Sequence, residues 1–195
     1  MLTNQSDMKA GHLEIHGETI AKFELFDAGF NTYSRYLDVD KIDLITRFFE
    51  GEKKIFKEIQ VKFGRTYSDK FTKNQAVFFE KTSWKIVDAN EFIEEKYNDL
   101  FIIYVLVDQD GYHGDIFIFP IEYYNKILKN IINTEIKQED ESPNKKDGRK
   151  LYIAQGKDKK WYIWKQQNFQ SIDDLTSDYV YDVQEYRRNF DLIRK

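Results

Sequence analysis

Cysteine is absent from the 195 residues and proline occurs only twice, at Pro120 and Pro143. Without cysteine the chain can have no disulfide framework, no thiolate metal site and no cysteine nucleophile. No apolar run reaches the length of a membrane span, and the polar start MLTNQSDMKAGH lacks the apolar core of a signal peptide. A cytoplasmic location is therefore expected. Histidine is scarce: His12 and His16 stand four apart, but with no HExxH pattern and no third histidine nearby they argue for surface or capping roles over zinc. His113 follows an expected turn and carries no pattern either. No internal repeat is visible. The formal net charge of −4 does not decide nucleic-acid binding, because a nuclease needs only a local basic groove and often carries acidic metal ligands besides.

What is present describes a globular chain. Apolar residues make up 41% and charged residues 33%, and the length suits one domain with a small appendage. From Gly11 to Ala28, Leu13, Ile20, Ala21 and Leu25 recur at helical spacing, and Gly29 is placed to close the helix. Strands are expected at Phe30 to Tyr36, Ile42 to Phe49 and Ile55 to Phe63, the last two joined by a turn through Glu50-Gly51-Glu52-Lys53. A further strand lies within Phe78 to Val87, and Asp88 to Glu91 reads as the cap of a short helix reaching Tyr97. Leu100 to Val107 is apolar throughout, as in a central strand buried on both faces, with Asp115 to Phe119 as its neighbour. Pro120 then opens a helix with Tyr124, Ile127, Leu128 and Ile131 on one side.

This order predicts an α/β fold with a mixed central sheet flanked by helices, over residues 1–134. Residues 135–150 read as a polar linker, and residues 151–195 as a small aromatic-rich appendage containing a hairpin about Gly156 to Lys160. Trp161 and Trp164 belong to that hairpin, where core packing or an interface is more usual than base stacking.

Chemistry concentrates between Glu18 and Lys62. Alternation sends Ile55, Ile59, Val61 and Phe63 to one face of their strand and Glu58, Gln60 and Lys62 to the other. A hairpin turning about Gly51-Glu52 puts Asp43 directly across from Gln60, and a slip of two residues would put Glu58 or Lys62 there instead. Glu18 shares a helix face with Ala21 and Leu25, where a carboxylate is costly unless it finds a cation or strong donors. A helical acid, a strand acid and a strand lysine form a set suited to phosphodiester hydrolysis. Carboxylates can hold Mg²⁺, and a lysine can orient or deprotonate the attacking water and stabilise developing charge. Lys57, Arg65, Lys70 and Lys73 surround this strand and its exit loop, together with Lys53 and Lys54, and could contact phosphates.

The stretches from Gly17 to Phe30, Asp40 to Ile45 and Glu58 to Lys62 resemble the core of the PD-(D/E)XK nuclease superfamily, in its Holliday-junction-resolvase-like and restriction-endonuclease-like branches. The resemblance implies a restriction-endonuclease-like core and a metal-dependent endonuclease that hydrolyses DNA with Mg²⁺, for which Mn²⁺ can substitute. It implies that Glu18 and Asp43 are metal ligands, that Gln60 holds the position of the acid before the lysine, and that Lys62 is the catalytic lysine. The Val61 carbonyl is implied as a further ligand, and a homodimer as the assembly. Gln60 departs from the usual acid, leaving the site one charge short. Two other functions are consistent with the same residues: a catalytically lapsed DNA-binding module of the same fold, and a protein-interaction domain that docks a partner through its aromatic C-terminal region.

Overall fold

The computed structural model describes residues 10–34, 41–68, 75–87, 97, 99–133, 149–164 and 180–195. In chain order the elements are α1 (Ala10–Asp27), β1 (Asn31–Ser34), β2 (Leu44–Glu50), β3 (Lys53–Arg65), α2 (Gln75–Phe78), β4 (Phe79–Val87), β5 (Leu100–Val107), β6 (Asp115–Pro120), α3 (Ile121–Asn133), β7 (Arg149–Gly156), β8 (Trp161–Trp164) and β9 (Val180–Asp182). Short 3-10 turns follow at Gln184–Tyr186 and Phe190–Arg194. The fold is α/β, with two sheets and few helices. It divides into two compact units, residues 1–64, 96–121 and 186–195 in the first and 65–95 and 122–185 in the second. Among the described residues no helix is long and apolar enough to cross a membrane. The expected short helix over 88–97 and the linker over 135–150 lie almost wholly outside the described residues, as do Lys70 and Lys73.

In the first unit a five-stranded sheet runs in the order β1-β2-β3-β5-β6. The β2–β3 hairpin closes through Gly51 and Glu52, with Glu50 opposite Lys53. Gly51 has φ 59° at the first central position, where only the missing Cβ makes the positive value cheap. At the end of α1, Gly29 (φ 87°) ends the helix as expected: its N–H donates to the Phe26 carbonyl and the Phe30 N–H to that of Leu25, satisfying carbonyls the helix leaves without partners.

β5 is buried along its whole length, as its unbroken apolar run requires. Ile103, Val105, Ile116 and Ile118 form a core with Leu44 and Ile59 from β2 and β3 and with Ala21 and Leu25 from α1. α1 comes so close to β3 at Gly17 that an added Cβ would lie 2.8 Å from that of Phe63, itself buried. Gly17→Ala is therefore expected to lower the urea midpoint. The overpacking strain, about 1–3 kcal/mol, outweighs a helix-propensity gain of about 1 kcal/mol.

The last residues of the chain return to this first unit. Ile193 is fully buried in the core, the Arg188 N–H donates to the Ile116 carbonyl, and Arg187 forms an ion pair with buried Asp115 at 3.0 Å. Glu24 of α1, also buried, accepts hydrogen bonds from Arg188 Nη1 at 2.8 Å and from the Tyr112 hydroxyl at 2.7 Å. Burial first, and then the Glu24 carboxylate, raise the Tyr112 pKa far above its usual value of 10. The folded protein keeps this proton where the unfolded chain loses it, so the contribution is full below pH ~10 and falls as pH rises further, by up to ~1.4 kcal/mol per pH unit. In Tyr112→Phe this part of the alkaline loss is expected to vanish. Urea titrations of both proteins from neutral pH to pH ~11 would show converging stabilities, and parallel curves would refute the assignment.

The second unit holds a four-stranded sheet in the order β4-β7-β8-β9, antiparallel at every pairing. Trp161 and Trp164 are buried, and Trp164 stacks on Phe79 at 5.4 Å and meets Tyr152 at 4.6 Å, so these indoles pack the sheet and offer no exposed base platform. The expected hairpin forms, and its strand β7 pairs with β4 from the middle of the chain. Pairing between segments so far apart leaves no local pattern in either. In α3, Tyr124, Ile127 and Leu128 are buried as expected, while the Ile131 side chain is outside the described set.

Candidate metal and phosphate site

The β2–β3 ladder runs from Glu50 opposite Lys53 to Leu44 opposite Ile59. Asp43 lies one residue before β2, and its N–H donates to the Ile59 carbonyl at 3.0 Å, one residue out of the register in which Ile59 faces Leu44. Beyond that point its side chain replaces the missing strand. Oδ2 accepts the Val61 N–H at 2.6 Å and the Gln60 Nε2 amide at 3.0 Å. In an antiparallel ladder the N–H and C=O of one residue face the same neighbour, so the Val61 carbonyl is directed to the same side as its N–H, past the end of β2.

Gln60 is buried, and its Oε1 has no hydrogen-bond partner among the described residues. A buried amide oxygen left this way costs about 1–3 kcal/mol and calls for an explanation. It shares its carbon with the nitrogen bonded to Asp43, so it belongs to the same small polar space. Lys62 is half-buried two residues along and on the same strand face by parity. Glu18 follows Gly17, which lies against Phe63 of β3.

The arrangement thus sets the Asp43 carboxylate against the Gln60 amide and the Val61 N–H, with Lys62 two residues further along β3. Three oxygen donors of which one is a carboxylate fit Mg²⁺, which commonly binds through one or two carboxylates and retains waters. Among the described residues there is no group of three or more histidine, cysteine or acidic side chains that could hold a metal ion.

Of the expected phosphate contacts, Lys57 lies opposite Thr46 on the other face of β3 and is bound to Asp99 at 2.7 Å. Alternation along β3 signals this, since 57 differs in parity from 60 and 62. Arg65 ends the strand, half-buried. His16 lies against the Phe63 ring at 5.6 Å and His113 bonds Asp108 at 3.1 Å.

Sequence reasoning passed over one group on the face of Asp43 and Gln60. Tyr33, Phe49 and Phe56 are about half exposed there, and Arg47 lies 5.8 Å from the Tyr33 ring centre and 5.7 Å from that of Phe49. The available signal was the alternation of β2, which puts Arg47 and Phe49 on the same side as Asp43.

No family model matches the chain, and no curated protein matches it. A bacterial homing endonuclease, I-Ssp6803I, is similar over 61% of this chain and 74% of its own at 13% identity, with a TM-score of 0.35. A likeness that slight carries neither fold nor function from one chain to the other.

Proposed function

We propose that the protein is a metal-dependent endonuclease that hydrolyses DNA phosphodiester bonds, with the site built on Asp43, Gln60, Val61 and Lys62, and Glu18 as a further ligand. The observation that carries this reading is the buried Gln60 Oε1, which has no hydrogen-bond partner among the described residues, on the amide that is bonded to Asp43. Asp43, the Gln60 oxygen and the Val61 carbonyl would hold Mg²⁺, with Mn²⁺ as a substitute. The ion supplies Lewis-acid polarisation of the phosphoryl oxygen and makes an attacking water more acidic.

The chain's own residues do the rest. Asp43 is fixed by two donors from β3, so little reorganisation is needed before a ligand arrives. Lys62 presents an ammonium from the same strand face, orients the water and stabilises charge developing on the phosphoryl oxygens. The test is incubation of the protein with branched, duplex and single-stranded DNA in Mg²⁺ or Mn²⁺, beside Lys62→Ala and Asp43→Ala. Cleavage unchanged in both variants would sink the assignment.

A second reading, a DNA-binding module of lapsed activity, is favoured by one contact. The Asp43 carboxylate is already engaged by its own chain, and Gln60 adds no charge. It predicts affinity for DNA that falls steeply with salt and no cleavage with any metal.

A further inference from the structure

We infer that the open face of β1, β2 and β3 is a stacking platform for unpaired nucleotides, which leads a single-stranded segment to the Asp43–Gln60–Lys62 site; this rests on the nuclease reading for its destination, but not for its binding chemistry. Cross-strand partners share a sheet face, so Tyr33 opposite Ile45, Arg47 opposite Phe56 and Phe49 opposite Lys54 all lie on one side. That side continues along β3 through Glu58 to Gln60 and Lys62. Phe56 and Gln60 are four residues apart on one strand, roughly 13 Å.

Three exposed rings gathered within one patch of a sheet are costly to leave in water without a purpose. They surround a single cation. Arg47 lies toward Tyr33 and Phe49, and its Nε is buried with no hydrogen-bond partner among the described residues. Among the described residues no carboxylate forms an ion pair with it. Rings that accept any base by its π-face, beside a guanidinium held in place and a neighbouring Lys54, are the chemistry that binds unpaired nucleotides on a phosphate backbone.

The experiment measures anisotropy of labelled oligo(dT), oligo(U) and a duplex of equal length with the full chain in EDTA, where no metal-dependent cleavage intervenes. Phe49→Ala and Phe56→Ala are each expected to weaken oligo(dT) binding by about 5- to 150-fold. Phe49→Tyr should restore it, and Phe49→Leu, which keeps apolar bulk without a ring, should not. Arg47→Ala is expected to reduce the salt slope by ~1. Oligo(U) binding that falls in parallel extends the ligand to RNA by the same stacking chemistry.

Unchanged oligo(dT) affinity in Phe49→Ala/Phe56→Ala would overturn the inference. So would a self-association that disappears in this variant while oligo(dT) binding stays as before. Mg²⁺-dependent cleavage of duplex that persists in a variant with unaltered oligo(dT) binding would leave the nuclease standing and remove the platform. Ring-dependent oligo(dT) binding by a chain that cleaves nothing would do the reverse.

Discussion

Lys62→Ala should lower metal-dependent cleavage by about 10²- to 10⁴-fold while leaving the fold intact, the range found when a positioned proton-transfer or charge-stabilising group is removed. Lys62 is half-buried at the surface of a strand, so truncation opens no core cavity. Asp43→Ala should be at least as harmful to cleavage but by a mixed route. It removes the carboxylate and also strips the Val61 N–H and the Gln60 amide of their acceptor, which costs about 1–3 kcal/mol of stability. Gln60→Glu separates the site from a structural contact. A second carboxylate next to Asp43 is repelled in metal-free buffer, lowering the melting temperature, and Mg²⁺ should restore more stability to this variant than it gives the parent. Measured by thermal melts with and without Mg²⁺, an equal shift in both proteins would mean that no cation binds between these two side chains.

Deleting residues 186–195 is expected to unfold the first unit. Ile193 is fully buried in its core, and truncating such a side chain alone costs about 2–5 kcal/mol. The deletion also removes Arg187 from Asp115 and Arg188 from Glu24, leaving two buried carboxylates without their cations. Breaking a buried pair in this way costs about 3–5 kcal/mol, and the low end applies because both arginines retain solvent contact. Arg194 adds a hydrogen bond to the Ala28 carbonyl and lies over the Phe30 ring at 4.4 Å. Together these losses reach the ~5–15 kcal/mol that a domain has in total. Urea unfolding followed by far-UV circular dichroism should show the truncated chain losing the cooperative transition that Ile193→Ala only shifts. A truncated chain with an unchanged midpoint would show that this segment is a passive tail.

The contrast between these two experiments follows what local sequence can express. Asp43 and Gln60 could be paired from parity and a glycine at the turn, because a short hairpin has few registers. Gly29 and the burial of β5 were likewise local properties. The path of residues 186–195 back to β6 and α1 had no such marker, since Phe190, Leu192 and Ile193 among three arginines are too short a run to name the surface they pack on. The β4–β7 pairing joins residues separated by the whole of β5, β6 and α3, and alternation within either strand cannot name its partner. α1 was legible despite Ile15, Phe23 and Phe26 on its exposed side, because Ala21 and Leu25 are buried and Leu13 and Ile20 pack against the same core.

Asp43 and Gln60 stand at equal distances along the chain from the Gly51–Glu52 turn, and this symmetry makes the hairpin a ruler. One residue gained or lost in either arm would turn Asp43 or Gln60 toward the core, and two would match the wrong partners. Loops usually tolerate insertion; this turn and both its arms are expected to tolerate none. Length variation in the chain should therefore gather elsewhere, and an inserted residue anywhere from Leu44 to Ile59 would be read out first as a lost site, before any loss of fold.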